Sequence, residues 1–500
     1  MPSRLLSLLA LVLLLPAAPG RAGVLDDPNV GGVGFGGPTT GDLTAIYWNP
    51  AALGLMTGGQ AMLGVSAWRS SLSVRRAPID AAGAPGGSRA FLPVTGHSTH
   101  NPVSWPPGPG TFVAVGAAVG NRFTLALAVY TPSFERASYP ATADGEQPTR
   151  YHAVEIDLRN VALVPALAFR VGSDLRIGVA PGFLFSTGRL VFDEDTALTS
   201  PPPMCGAQAC PAESAAAAAR YDVGSGLGVF QSTLSYTVAG GLHYRRGNVE
   251  VGLSVSSRPL ANTGGGVEVQ ADRTSVTPPA RLGPGTVVCP PDHPNGCVSA
   301  HIRYDLPDIF TVGFNWHATP RLTLTTIIRW LTFSRHDQID IRVVGPANGS
   351  LRTAGLPERL VLYRGFQDVI EGRLRVEREM APWLRLGAAL RAETGAVPRS
   401  RLSPAAVGGP ALEPAVMAEL RVGNWLRLTG GYALTVMPST GTGESVFDPT
   451  AATACASDKV GGDLTDPSCA KRISGAARPT AAGSYGLTQH TGTLTATFRF

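Results

Sequence analysis

From residue 59 onward the chain alternates apolar and polar positions in runs of about ten residues, the period and length of tilted membrane β-strands. Fourteen such runs are legible, near 60–76, 111–119, 122–130, 161–172, 174–190, 228–245, 248–258, 307–318, 321–335, 365–380, 383–394, 411–422, 425–437 and 487–500. In Glu371-Gly372-Arg373-Leu374-Arg375-Val376-Glu377 one face is charged and the other apolar. In the run from Leu384 to Arg391 the leucines take one face while Arg385 and Arg391 take the other, and the stretch Leu175 to Ala180 repeats the pattern.

The connections sort themselves. Short turns fall at Gly120-Asn121, Gly172-Ser173, Arg246-Gly247, Thr319-Pro320, Ala381-Pro382 and Gly423-Asn424. Between them lie long segments, at 77–110, 131–160, 191–227, 259–306, 336–364, 395–410 and 438–486. Tight turns at one end and long loops at the other define an antiparallel barrel whose turns face the periplasm and whose loops face outward. A charge on the lipid face at mid-bilayer costs about 2–4 kcal/mol, so the apolar face must meet lipid and arginine and glutamate must face the lumen. The last run, Gly492 to Phe500, pairs with the first to close the barrel, because an open edge has no partner in lipid.

Ahead of the first strand, Gly31 to Leu55 is rich in Gly and Pro yet carries Phe35, Ile46, Tyr47 and Trp48. An irregular apolar segment in this position reads as a hatch folded inside the barrel. A barrel this wide would otherwise hold water, which disfavours apolar solutes. The domains expected are therefore a signal peptide over 1–22, an N-terminal hatch over 23–58 and an outer-membrane barrel over 59–500. The signal is the run Leu5 to Leu15 after Arg4, with small residues leading to Ala22. No later apolar run reaches the ~18 residues of a transmembrane helix.

Composition narrows the picture further. Charged residues are 15% of the chain, and lysine occurs only at Lys459 and Lys471. The arginines alternate with apolar residues instead of forming a patch, so nucleic acid is not an expected partner. The six cysteines fall as local pairs, Cys205 with Cys210, Cys289 with Cys297 and Cys455 with Cys469, all in long loops. Export gives them an oxidising compartment, and three loop disulfides are expected from proximity. Metal-ligand spacing does not accompany them.

Five stretches, taken in order, resemble the FadL/TodX family of outer-membrane transporters for long-chain fatty acids and hydrocarbons. They are Asn49-Pro50-Ala51 within IYWNPAALGL, Ala166 to Arg170 with the following VGSDLRIGVAPGF, and Leu306 to Trp316 leading into Arg329 to Ser334. The fourth lies within Gly365 to Pro398, and the fifth is Tyr485 with His490 before the closing strand. The Pro-, Gly- and Ala-rich external loops and the cysteine pairs depart from the family's best-known members. The resemblance implies a fourteen-stranded barrel with a hatch, a monomer, and diffusion of a hydrophobic small molecule without covalent chemistry or cofactor. It also implies sideways escape through a kink in the third strand, here Arg122–Tyr130, with Pro132 expected at that strand's outer end. Outer-membrane lipids, lipopolysaccharide and the barrel assembly machinery are the expected partners.

For ligand binding the candidates are Val24 and Leu25 at the newly exposed terminus, Phe35 in the hatch, and Arg329, Arg375 and Arg391 on the inner face. Guanidinium groups suit a fatty acid because they can hold a carboxylate through two parallel hydrogen bonds. The competing reading is a lumenal charge ladder with Glu371, Glu377 and Glu393. Asn49, Pro50 and Ala51, the hatch motif, are expected to set a tight turn where the hatch meets the first strand.

Two other functions stay open at this stage, an outer-membrane lipid hydrolase and a general aqueous porin. The run Gly32 to Gly37 fits GxGxxG but has no strand before it or helix after it. No GxSxG elbow is present, and His97, His100, His152 and His243 join no Ser/His/acid set. Asp193-Glu194-Asp195 reads as a solvated loop that could attract calcium.

Overall fold

The structure, a computed structural model, describes residues 29–76, 92–96, 111–139, 149–195, 204–209, 218–224, 234–258, 267–271, 273–277, 299–344, 359–442 and 481–500. The signal peptide, Val24 and Leu25 lie outside these, as do Cys210, Cys289, Cys297, Cys455 and Cys469 and the side chain of Cys205.

Fourteen antiparallel strands form the wall. They are β1 (Gly59–Arg76), β2 (Phe112–Val119), β3 (Phe123–Ser138), β4 (Glu155–Arg170) and β5 (Leu175–Asp195). Next come β6 (Leu234–Arg246), β7 (Val249–Ser257), β8 (Ile309–Thr319), β9 (Leu322–Leu331) and β10 (Val369–Ala381). The last four are β11 (Leu384–Glu393), β12 (Ala411–Val422), β13 (Leu426–Thr442) and β14 (Gly483–Arg499). Each pairs with its neighbours in chain order, and β14 pairs with β1 from Gln60↔Arg499 to Arg76↔Gly483, which closes the ring.

Alternation decides what faces lipid. Leu63, Val65, Leu125, Leu127, Val312, Phe314, Ile328, Leu374 and Leu390 are exposed on the outer face, flanked by Trp316, Trp383 and Trp425 at the periplasmic end. Arg329, Glu371, Arg373, Arg375, Glu377 and Arg391 alternate with that belt and are buried inside. The pleat thus runs in the direction that the cost of charge in lipid requires. Gly120, Gly247 and Gly423 take φ of 63°, 60° and 59° in three of the short turns, a conformation that glycine enters without a Cβ clash.

Several strands outrun the membrane. β3 does not end at Pro132 but continues to Ser138, with a register shift between Tyr130 and Ser133 that accommodates the imide nitrogen. On its other side the ladder to β2 stops at Phe112↔Tyr130, and that of β2 to β1 stops at Gly64↔Phe112. Higher up, β1 pairs instead with the strand Leu92–Gly96, from Leu72 to Arg76.

The long loops carry sheet of their own. Strands Val267–Ala271, Ser299–Tyr304, Gln338–Val344 and Arg359–Tyr363 form a four-stranded antiparallel sheet. Its residues Val267, Ala300, Ile302, Tyr304, Ile339 and Ile341 are buried. The sheet leans on the outer extensions of the wall, where the Tyr304 hydroxyl lies 3.2 Å from Asn160 Oδ1. Arg364 donates to both carboxylate oxygens of Glu135 on β3 at 2.8 and 2.7 Å, and Tyr139 donates to the Pro404 carbonyl at 2.7 Å. These contacts draw loops from opposite sides of the barrel into a roof over its mouth.

Candidate ligand-transport site

Residues 29–58 run through the lumen and touch the wall on nearly every side. Val33 N–H donates to Thr493 Oγ1 of β14 at 2.9 Å, and Arg375 of β10 donates to the Gly36 carbonyl at 2.7 Å. Ser254 of β7 donates to the Trp48 carbonyl at 2.6 Å, and Arg170 of β4 donates to the carbonyls of Gly54 and Met56 at 2.5 and 2.7 Å. Leu43, Ile46, Trp48, Leu53 and Met56 are buried.

Two short helical turns shape the segment, α1 (Ala45–Trp48) and a 3-10 turn over Pro50–Leu55. Asn49 joins them. Its Oδ1 accepts from Ala51 N–H at 3.1 Å, capping the second turn with Pro50 at the first position, where a missing N–H costs nothing. Its Nδ2 donates to the Pro38 carbonyl at 2.8 Å and to the Leu242 carbonyl of β6 at 2.9 Å. One side chain thus caps a turn, ties the segment to itself and ties it to the wall.

Inward-facing glycines make room for this close approach. A Cβ on Gly241 would meet Asn49 Oδ1 at 1.9 Å, one on Gly252 the Pro38 carbonyl oxygen at 2.2 Å, and one on Gly313 the Pro38 ring at 2.2 Å. Gly178 lies the same way under the Pro50–Ala51 peptide, at 2.4 Å. Gly178 pairs with Gly241 across β5 and β6, and Gly252 with Gly313 across β7 and β8.

The candidate arginines divide between the ladder and the segment. Arg391 donates to both oxygens of Glu413 at 3.1 and 2.8 Å and pairs with Glu393. Arg375 pairs with Glu377 at 2.6 Å while it holds the Gly36 carbonyl. Arg329 pairs with Glu371 at 3.1 Å and donates to the Tyr47 hydroxyl at 2.9 Å. Phe35 lies beneath the Arg385 guanidinium, 3.8 Å from its ring centre, a cation–π contact. Arg329 and Arg391 meet at one oxygen of Glu371, at 3.1 and 3.6 Å, while Arg375 is bound elsewhere, to Glu377 and the segment.

Sequence reasoning missed Tyr47 and Arg258 as site residues. Tyr47 stands edge-on to Trp48 and Tyr130, at 5.2 and 5.7 Å, and Tyr130 stacks on Phe112 at 5.7 Å. The Arg258 guanidinium lies 5.6 Å from the Tyr47 ring centre. Its position just past the end of β7 carries no alternation signal. Arg258, Arg329, Tyr47 and Trp48 line a narrow cavity of about 10 Å³ against Ser254 and Thr311, room for roughly one water molecule.

A closed hydrogen-bonded barrel with an apolar outer belt, its inner wall bonded to its own N-terminal segment, defines a transmembrane β-barrel of the outer-membrane type. The family model of the outer membrane transport proteins OMPP1/FadL/TodX matches residues 20–397, and the chain belongs to that family. Its members transport and are not enzymes, and the outer membrane is where the chain resides. Among solved structures it is similar to a FadL homologue of Pseudomonas aeruginosa, at 14% identity and a TM-score of 0.68 over 96% of this chain and 100% of that one. It is also similar to the toluene transporter TbuX of Ralstonia pickettii, at 12% identity and 0.57 over 95% and 98%. The toluene transporter TodX of Pseudomonas putida aligns at 13% identity and 0.58 over 97% and 100%. No curated protein sequence matches the chain.

Proposed function

We propose that the chain carries long-chain fatty acids, or hydrophobic molecules with a similar acidic head, across the outer membrane. The carrying observation is the pair Arg258 and Arg329, which bracket one cavity with the aromatic face of Tyr47 between them. Two guanidinium groups beside aromatic carbon suit a carboxylate followed by an apolar tail. Cargo enters beneath the roof, reaches this point, and moves on when residues 29–58 act as a hatch and shift. The space present admits no tail, so hatch movement and ligand binding are one event.

The wall offers a sideways exit. Among the described residues, Val65 to Ser71 of β1 have no ladder partner on the side of β3, and β3 beyond Tyr130 pairs only with β4. The register shift at Pro132 lies at this interruption, and Arg258 Nη1 reaches the Pro132 carbonyl at 3.5 Å. This supports release between β1 and β3, toward lipid.

An uncharged aromatic hydrocarbon is the second reading. The column of rings Trp48, Tyr47, Tyr130 and Phe112 favours it, as do relatives described as toluene transporters. Equilibrium binding of labelled oleate and labelled toluene to the purified protein separates the two. Saturable oleate binding that weakens roughly tenfold in Arg258→Gln, the loss of a charge-assisted hydrogen bond, supports the first reading. Toluene binding with no oleate binding supports the second, and binding of neither rejects both.

A further inference from the structure

The lipid-facing wall of β13, β14 and β1 carries a polar cluster whose Arg69 and Ser71 border the proposed sideways exit and whose other members stand on the strands behind it. Strand register aligns three rows there: Tyr432, Gly492 and Ala67, then Leu434, His490 and Arg69, then Val436, Thr488 and Ser71. Arg69, His490 and Ser71 are exposed, on the same face as the exposed Leu63 and Val65 lower on β1. Arg69 and His490 are directly opposed cross-strand neighbours, so their Cβ atoms are about 5 Å apart. The Tyr432 hydroxyl lies 2.6 Å from His490 Nδ1. When that hydroxyl donates to Nδ1, the other ring nitrogen keeps its hydrogen and is a donor.

Height along the wall says what meets this cluster. Phe498 and Trp425 stack at 6.2 Å near the periplasmic rim. Eight residues of β14 separate Phe498 from His490. At about 3.4 Å per residue and a tilt near 40°, they climb about 20 Å, most of the ~25 Å apolar band. The cluster therefore sits near the outer edge of the apolar band, from where the long Arg69 side chain reaches up toward the phosphates of outer-leaflet lipids, with the tyrosine in the position of an interfacial aromatic.

Charge is a second feature of the cluster. Several cations of the external rim are paired: Arg189 with Asp222 and Glu155, both at 2.9 Å, and Arg159 with Asp157 at 2.6 Å. Arg335 pairs with Asp308. Arg69 has no carboxylate partner among the described residues. Below the Arg69–His490 row, Gly492 and Ala67 leave a shallow hollow beside the Tyr432 ring.

We propose that Arg69 and His490 bind a phosphate of a phosphorylated outer-leaflet glycolipid of the lipid A type, with Thr488 and Ser71 as hydroxyl donors and one acyl chain in the hollow above Gly492 and Ala67. The guanidinium supplies parallel donors for phosphate oxygens, and the imidazole supplies a further donor whose strength rises on protonation. An occupant here reinforces the seam at which the last strand meets the first.

Delipidated full-length protein is titrated by native mass spectrometry with bisphosphorylated lipid A and with the same lipid dephosphorylated. The wild type binds the phosphorylated form roughly tenfold more tightly, and Arg69→Gln/His490→Gln loses that preference, while Arg69→Lys keeps most of it. Heat-modifiable gel migration stays unchanged in the double variant, and oleate binding stays unchanged in His490→Gln alone, a residue of β14 outside the exit stretch, so a failure here is distinct from a failure of the transport reading. Equal binding of the two lipids by the wild type overturns the proposal, as does a preference that survives in the double variant. Displacement of the lipid by inorganic phosphate at equal concentration overturns it too, since the site would then select a free anion.

Discussion

The carbonyl oxygen of Val33 lies 1.7 Å from the point where a Cβ on Gly431 would stand. Neither can give way locally, because one is backbone of the segment and the other is backbone of β13. Gly431→Ala therefore displaces the segment from that wall. In planar bilayers the variant shows an ion conductance roughly tenfold above a quiet wild type, as a lumen freed for water requires. Gly430→Ala, on the lipid-facing side of the same strand, is the control and stays quiet. If both remain quiet, residues 29–58 are not the seal.

Asn49→Ala removes two donated hydrogen bonds and a cap while leaving the Pro38 carbonyl buried without that donor. The expected cost is about 1–3 kcal/mol for the acceptor left unmet. Amide hydrogen exchange over residues 45–55 accelerates, whereas exchange in β6 to β9 does not. Unchanged exchange in 45–55 would show that the asparagine anchors nothing.

Arg391→Met strands Glu413 as a buried charge on the inner face, while Glu371 keeps its pair with Arg329. Breaking such a pair costs about 3–5 kcal/mol, and much of it returns when Glu413 is neutralised as well. Urea unfolding from lipid vesicles should show the single variant as the least stable of three and Arg391→Met/Glu413→Gln between it and wild type.

The roof carries a pH dependence. Burial and the charge of Arg364 hold the His336 imidazole at a pKa of about 3, against the opposing pull of the Asp305 carbonyl. Tyr304 and Phe366 pack on the same ring. The folded state is neutral at this residue while the unfolded state takes a proton near pH 6.5. Stability from this group is therefore complete above about pH 6.5 and declines as the pH falls toward 3. Limited proteolysis of the external loops should accelerate over that interval in wild type, and less in His336→Phe.

What the sequence made legible follows from where one rule governs. In the wall, lipid on one side and lumen on the other force strict alternation, so every strand near 60–500 could be located and Arg385 and Arg391 assigned a side. The roof strands Val267–Ala271 and Ser299–Tyr304 obey no such rule, because both faces meet protein or water, and Pro and Gly surround them. Pro132 reads as a terminator because it lacks an N–H. It is tolerated because the ladder there is already broken on one side and out of register on the other. Glu413 alternates correctly within β12, yet only three dimensions reveal that it stands directly opposite Arg391 on the adjacent strand. The segment's path was beyond sequence reasoning for a different reason: its partners are glycines, which advertise nothing except an absence.

Gly178, Gly241, Gly252 and Gly313 lie on four consecutive strands, paired two by two beneath Pro38, Asn49 and Pro50. Lift those three residues away and what remains along β5 to β8 is a lane of bare peptide, without side chains to snag an oily passenger. Were the segment to shift as proposed, the mould that fits it would also be the smoothest part of the shaft.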